Sequence, residues 1–299
     1  MPDPVLKRRA ETMARFKAAT VQVNASNDLQ QNLKVTSDLI RRAAERGAEF
    51  ITTPEVVLLI GAGAADTRAK AFHEADHPGI PAFADLARET GAWLSAGSFS
   101  ILLDEADDDR LANRSYLFAP DGSVAARYDK IHMFDVNLSS GEAYKESRVY
   151  RPGTGTQLVD LPWGRLGLTI CYDMRFPKLY RDLAQAGAEI LTVPSAFTRP
   201  TGRAHWHVLL RARAIETGCF VIAAAQCGTH AKGRQTYGHS LIVAPWGEVL
   251  SDGGEEVGIN LAEIDMDQVV EARRRVPSLE HDRDYAAPVL ADPLANAAE

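Results

Sequence analysis

A cysteine ends an apolar run in "LTICYDMRFP", residues 168 to 177, and polar residues follow at once. Free cysteine is among the most buried residue types, so core packing is the ordinary fate of such a position. Here the run stops at Cys171, Asp173 and Arg175 follow, and Pro177 opens a helical pattern. A thiol at a strand-to-helix elbow faces outward from the strand end, where α/β folds build their sites. Two other ionisable residues stand in comparable places. Glu55 follows "EFITTP", and Lys130 closes "SVAARYDK". Taken singly, each is an ordinary surface charge. Together the three form a coherent chemical set. A thiol needs a base to become a thiolate, and a carboxylate serves if burial raises its pKa. A tetrahedral oxyanion needs fixed donors, which Lys130 and the backbone N–H of Tyr172 would supply. The chemistry is nucleophilic attack through a covalent intermediate.

The elements that must position these residues alternate between strand and helix. "FKAATVQV" (16–23) reads as a strand. "NDLQQNLKVTSDLIRRAAERG" follows as a helix, with Ser26 or Asn27 as its cap and Gly47 as its stop. "EFITT" is a second strand, "PAFADLARETG" a helix and "AWLSAGSFSI" a strand. "RSYLFA" and "SVAARYDK" flank the hairpin signal Pro120-Asp121-Gly122. Residues 131–160 carry too little periodicity to assign. "GRLGLTI", "AEILTVPSA", "CFVIAAA", "GHSLIVAP" and "GINLAEID" read as strands. "FPKLYRDLAQAG", "AHWHVLLRARAIETG" and "DMDQVVEARRR" read as helices. One echo stands out: "GAEFITTP" (47–54) matches "GAEILTVP" (187–194), each after an amphipathic helix. Two such units suggest one pseudo-symmetric α/β layer structure. Glu55 follows the first copy and Ser195 the second, so only one copy carries an ionisable group.

Composition narrows the function classes. The chain has 299 residues, 45% hydrophobic and 24% charged, a net charge of −7 and a pI near 5.7. A nucleic-acid binder would be basic, with clustered Lys and Arg, so that class is disfavoured. No apolar run reaches the roughly 18 residues a membrane helix needs. The N-terminus is basic without an apolar signal core. The three cysteines, Cys171, Cys219 and Cys227, form no CxxC pair. This argues against a disulfide framework or zinc knuckle and for a reducing, cytoplasmic setting. Residues 1–14 read as an extension, 15–280 as one domain and 281–299 as a polar tail.

Several patterns are decoys. "HEADH" (73–77) formally matches the zinc-protease H-E-x-x-H, but Pro78-Gly79 follows at once where the helix must continue. "GAGAAD" lacks the third glycine of a dinucleotide loop. "HWH" (205–207) places two histidines on different sides of a helix, with His205 as a candidate pocket residue. Arg175, Arg199, Arg203, Lys232 and Arg234 gather around the second half. Their functional reading is recognition of a carboxylate, with Arg175 the best candidate.

"TTPEVV", "YDKIHMFDV", "KESRVYRPG" and "CYDMRFP" resemble, in this order, the signature segments of the nitrilase or carbon–nitrogen hydrolase superfamily. The likeness runs from about residue 16 to residue 280. "LAQAGAEILTVPSAF", "AAAQCGTH" and "YGHSLIVAPWGEV" resemble the deaminated glutathione amidase branch in particular. The resemblance implies a four-layer αββα sandwich and a homodimer or higher homo-oligomer. It places the nucleophile on Cys171, the general base on Glu55 and the oxyanion lysine on Lys130. Glu146 in "KES" becomes a second catalytic glutamate, which the residues alone leave as a surface carboxylate. Tyr172, Arg175, Phe197, Thr198 and His205 are the candidate substrate-binding residues. The expected activity is hydrolysis of an omega-amide of a small carboxylate-bearing molecule, through a thioester on Cys171, without metal or organic cofactor. An omega-amidase, a nitrilase or an N-carbamoyl amino acid hydrolase would use the same residues. A non-catalytic scaffold would not need all four.

Overall fold

The computed structural model describes residues 14–104, 108–137 and 143–290. Along the first strand, β1 (Arg15–Gln22), Phe16 and Ala18 join one apolar core while Ala19 and Val21 join another. Side chains alternate across a strand, so both faces of β1 are covered and the segment reads as a near-continuous apolar run. That two-sided burial sets the layered architecture.

The first sheet contains β1, β2 (Phe50–Thr52), β3 (Phe72–His73), β4 (Trp93–Ser95), β5 (Phe99–Leu102), β6 (Leu111–Phe118) and β7 (Val124–Asp129). A short hairpin follows, β8 (Asp135–Asn137) with β9 (Ala143–Lys145). The second sheet takes β10 (Leu158–Asp160), β11 (Arg165–Leu168), β12 (Ile190–Thr192) and β13 (Phe220–Ala223). A second hairpin, β14 (Cys227–Thr229) with β15 (Gln235–Tyr237), precedes the sheet's last strands, β16 (Leu241–Val243) and β17 (Val249–Asp252). Then β18 (Gly258–Asp265) returns to pair antiparallel with β1. The strand orders are β18-β1-β2-β4-β6-β5-β3, with β7 on β6, and β10-β11-β12-β13-β16-β17.

Helices α1 (Leu29–Glu45) and α3 (Gly79–Thr90) cover the outer face of the first sheet with Leu39, Ile40, Phe83 and Leu86. The short α2 (Ala64–Ala69) lies between them in sequence. Helices α4 (Pro177–Gln185) and α5 (Arg199–Thr217) cover the second sheet with Leu179, Leu183, Trp206 and Leu210. The inner faces meet in the same core, where Phe16, Phe50 and Tyr128 join Leu166, Ile190 and Val221. The result is the expected αββα sandwich. Helix α6 (Asp267–Arg275) follows β18.

Three expectations shift on local grounds. The cap of α1 is Asp28, whose side chain accepts the Gln31 N–H at 3.1 Å, while Ser26 serves the turn before it. Helix α5 begins at Arg199, five residues before the expected start, because Pro200 fits the first turn of a helix. The single strand expected over "AWLSAGSFSI" is two, β4 and β5. Gly97 breaks it with a φ of 50°, and a Cβ there would lie 1.9 Å from the Pro54 carbonyl oxygen. The chain turns at Gly97 because it must pass the backbone that carries Glu55.

Residues 1–13 of the expected extension and 291–299 of the expected tail lie outside the described residues. Residues 281–290 carry no helix or strand and are exposed. Asp282 accepts hydrogen bonds from Arg181 and Gln185, which ties the start of this segment to α4. No helix among the described residues is long and apolar enough to cross a membrane.

Candidate active site

Strand β2 ends at the elbow Pro54-Glu55. Val56, just beyond, has a φ of 45°, an outlier for a β-branched residue. It is held there by Ser98, whose Oγ accepts the Val56 N–H at 2.8 Å and whose carbonyl accepts Val57 N–H at 3.2 Å. The kink at Gly97 thus fixes the loop that aims Glu55. Cys171 is the second left-handed residue at the site, with a φ of 49°. Its N–H donates to the Pro194 carbonyl at 2.9 Å. Asp173 ties down the same elbow. Its carboxylate accepts Ile170 N–H at 2.9 Å, Tyr128 O–H at 2.7 Å and His132 N–H at 3.0 Å. Backbone strain of this kind persists only where surroundings over-determine it, and it clusters at functional sites.

Lys130 leaves β7 and bonds through its N–H to the Asn113 carbonyl at 3.0 Å. Its ammonium lies 2.8 Å from Glu55 Oε1 and 2.8 Å from each oxygen of Glu146. Glu146 starts the turn after the β8–β9 hairpin and is fixed by the Phe134 N–H, 2.6 Å from Oε2. The Asn113 amide donates to Glu55 Oε1 at 2.9 Å and to Glu146 Oε1 at 3.3 Å. The remaining Glu55 oxygen accepts the Ala196 N–H at 2.9 Å. Lys130, Glu55 and Cys171 are only 1%, 4% and 6% exposed, so these charges interact with little screening.

The charge states follow. Burial pushes the Glu55 carboxyl up, as expected from sequence, but Lys130 and the hydrogen bonds from Cys171 and Ala196 override it. Glu55 therefore sits below the usual carboxylate range, ionised at neutral pH. Burial opposes the charge of Lys130, yet Glu146 and Glu55 hold it well above an ordinary lysine. Burial, and then the Glu55 charge, pushes the Cys171 thiol up. The resting site is a neutral thiol beside an ionised carboxylate and a fixed ammonium.

These residues line a cavity of about 690 Å³. Phe197 and Thr198 line it, as do Glu55, Lys130, Glu146 and Cys171. Tyr172, Arg175 and His205 do not. Arg175 lies over the rings of Tyr172 and Phe197, 5.9 and 5.5 Å from their centres, and contacts His205 Nδ1 at 3.1 Å. The reason is the turn type. Cys171–Arg175 is a 3₁₀ helix. Four residues of α-helix return to within about 40° of the starting direction, but here Cys171 is left-handed and the residues after it turn more tightly, so Arg175 does not come back to the Cys171 side. Arg234 is the half-buried cation that faces the cavity instead. It donates to the Ala196 carbonyl at 3.0 Å and lies 5.6 Å over the Tyr144 ring. Its Nε is buried with no hydrogen-bond partner among the described residues. Lys232, in left-handed backbone with a φ of 56°, lines the cavity beside it.

Sequence reasoning missed Asn113 and Asp173 as organisers. The available signal was a polar side chain in the middle of an apolar strand, where a buried amide must find partners. The histidines of "HEADH" diverge: His73 pairs with Asp104 at 2.7 Å, while His77 stacks on Phe99 at 4.6 Å. Glu74 between them binds Arg114 and Arg127. Cys219 and Cys227 are buried away from the cavity lining.

Residues 17–274 match the family model for carbon–nitrogen hydrolases. The deaminated glutathione amidase of Homo sapiens is 43% identical over 93% of this chain and 85% of its own. The crystal structure of the C. elegans NitFhit protein superposes with a TM-score of 0.85 at 39% identity, over 91% of this chain and 66% of that longer one. An amidase variant from Nesterenkonia sp. AN1 aligns at 26% identity and a TM-score of 0.72, over 88% of this chain and 98% of its own. In that crystal acrylamide has undergone Michael addition at the active-site cysteine. With a family model spanning most of its length and relatives of this similarity, the chain belongs to the carbon–nitrogen hydrolase family.

Proposed function

We propose that the protein is a cysteine amidase that hydrolyses deaminated glutathione, with Glu55, Lys130, Glu146 and Cys171 as its catalytic residues. The observation that carries this reading is the Lys130 ammonium, held 2.8 Å from both glutamates beside the thiol in the cavity lining. The thiol attacks the amide carbonyl carbon as Glu55 takes its proton. Because the thiol starts neutral, thiolate character develops only as the new C–S bond forms. The oxyanion rests against Lys130 and the backbone N–H of Tyr172, which adjoins the cavity-lining Cys171 although the Tyr172 side chain does not line the cavity; it is a first-turn donor that its own helix does not use. Glu55 returns the proton to the departing amine as the C–N bond breaks, leaving a thioester on Cys171. Glu55 then deprotonates a water, whose oxygen attacks the thioester carbonyl and releases the acid and the thiol. Glu146 keeps Lys130 aimed. Its second carboxylate contact also holds the ammonium when Glu55 is protonated.

Arg234 and Lys232 anchor the substrate carboxylate in place of Arg175, because they line the cavity and Arg175 does not. The relative named as a deaminated glutathione amidase supports the choice of substrate. Three unpaired cysteines among the described residues fit a reducing, cytoplasmic compartment. Val208, Ile215, Trp246 and Val276 form exposed apolar surface that favours a homodimer.

The test is kcat/KM on deaminated glutathione, α-ketoglutaramate, a neutral aliphatic amide, a nitrile and an N-carbamoyl amino acid. Deaminated glutathione should lead and α-ketoglutaramate follow. Cys171→Ala should abolish turnover with the fold intact. Arg234→Ala should narrow the gap between deaminated glutathione and the neutral amide about 10-fold or more, the scale of a lost charge-assisted pair. Arg175→Ala should leave the gap unchanged. A nitrile or carbamoyl substrate in first place overturns the substrate reading.

A further inference from the structure

A second cluster of metal-competent side chains lies outside the cavity. His207 extends from the middle of α5, His239 from the segment between β15 and β16, and Asp252 from the end of β17. His207 Nε2 is 3.0 Å from Asp252 Oδ2, and His239 Nδ1 is 2.9 Å from Asp252 Oδ1. One ligand atom from each residue lies within 4.8 Å of the others. We infer that His207, His239 and Asp252 bind one divalent transition-metal ion of the zinc class.

An ion about 2.0–2.2 Å from each ligand places neighbouring ligand atoms roughly 3.3 Å apart. Measured to Asp252 Oδ2 alone, His207 Nε2 and His239 Nδ1 lie 3.0 and 3.2 Å away, which meets that spacing, and the two nitrogens lie within 4.8 Å of each other. Two imidazoles and one carboxylate select zinc, copper or nickel over magnesium or calcium, which prefer all-oxygen shells. The side chains are 34%, 21% and 34% exposed, so water completes the coordination.

The ligands are held from behind, as ligating groups usually are. Gly254 N–H donates to Asp252 Oδ1 at 2.9 Å. His239 has a φ of 56°; its N–H bonds to the Gly254 carbonyl at 2.6 Å, and its own carbonyl accepts Trp206 Nε1–H at 2.7 Å. Tyr237 stacks on the His239 ring at 4.4 Å and meets the His207 ring edge-on at 6.1 Å. In the metal-free protein the two ring nitrogens donate to Asp252. Binding replaces each of these N–H bonds by a nitrogen–metal bond. Each displaced proton moves to the other ring nitrogen or, from a charged ring, to water. The carboxylate becomes an anionic ligand.

The site joins α5, whose first turn lines the cavity through Thr201, to the strand that follows Arg234. A bound ion would pin these two elements together on the side of the cavity that carries the anchoring cation.

The test uses the full chain with Cys171→Ala, which removes the thiol that faces the cavity. Stoichiometric Co²⁺ should give ligand-field absorption bands, and Zn²⁺ should displace them at one equivalent per chain. His207→Ala and Asp252→Ala should each weaken Zn²⁺ binding about 10-fold or more. They should also remove the rise in melting temperature that Zn²⁺ gives the parent. His73→Ala, which breaks another exposed His–Asp pair, should bind like the parent, and Mg²⁺ and Ca²⁺ should leave the melt unchanged. All three side chains are near the surface, and metal-free melting curves check that the variants fold. Absence of Co²⁺ bands in the parent overturns the site without recourse to any variant. So does Zn²⁺ affinity that the double variant His207→Ala/Asp252→Ala retains.

Discussion

Gly47 and Gly187 each follow a helix in left-handed backbone, with φ of 83° and 96°, and from there two segments run in step. Ala48 N–H bonds to the Ala43 carbonyl and Ala188 N–H to Leu183. Glu49 and Glu189 then use their N–H groups on the strand before, at Lys17 and Arg165. Their carboxylates accept the N–H of those same two residues. Strands β2 and β12 lie parallel between two neighbours each. Thr53 and Val193 close the units on Ser95 and Ile222 at 3.0 Å. Then Pro54 leads to Glu55 and Pro194 to Ser195. The Ser195 hydroxyl turns back onto the Val193 carbonyl at 3.1 Å, and Ser195 is not among the residues that line the cavity. The second unit holds the first instead. The Pro194 carbonyl takes the Cys171 N–H, and the Ala196 N–H takes the Glu55 carboxylate. The scaffold is generic, and one residue beyond each proline decides whether a unit supplies the proposed base or the frame.

The largest expected effect breaks this pairing at its ends. Glu55→Gln should lower kcat about 10³-fold or more with the fold kept, a loss in the upper range for a general base. Ser195→Ala should leave kcat within about threefold. Equal losses would mean that both elbows are catalytic. Lys130→Arg comes next. A planar guanidinium does not fit the space of a compact ammonium between two glutamates, so activity should fall about 10²-fold although the charge is kept. Single-turnover rates separate this from weaker binding.

A smaller effect sharpens the comparison one strand over. By register with β2 and β12, Gly97 corresponds to Ala224. Ala224 already carries a Cβ, whereas a Cβ on Gly97 would meet Pro54. Gly97→Ala should cost about 2 kcal/mol or more of stability, from the left-handed φ and the overlap together. Denaturant melts measure it. The smallest effect is in pH. Burial pushes His77 in the first half and His230 in the second from 6.5 down to about 4. Both stay neutral in the fold but take a proton when unfolded, so stability should fall as pH drops from about 6.5 towards 4. His230→Gln should flatten that slope, as read from urea midpoints across the range.

The strand ends were legible because apolar runs stop abruptly at Pro54 and Cys171 and a hairpin strand closes at Lys130. Glu146 was not, since residues 131–160 have no period, and only the resemblance pointed to it. Arg175 misled because its spacing from Cys171 suits an α-turn, and nothing in "CYDMR" announces a 3₁₀ turn. Arg234 sits in a loop whose path depends on a left-handed Lys232, which no pattern in the sequence signals. The break in "AWLSAGSFSI" shows the same limit. Gly97 is visible as a glycine, but its reason is the Pro54 backbone, 43 residues upstream.

The neutral resting state of Cys171 bears on how long the protein survives in use. Peroxide and common alkylating agents attack thiolates, and the oxidation ladder from sulfenic to sulfonic acid begins there. A thiol that is 6% exposed and held protonated offers them little to react with. In the proposed mechanism it becomes nucleophilic only as an electrophile reaches Cys171 and presents its carbonyl oxygen to Lys130. The burial that makes the proposed base work harder should, in the same way, slow oxidation of the Cys171 thiol between turnovers.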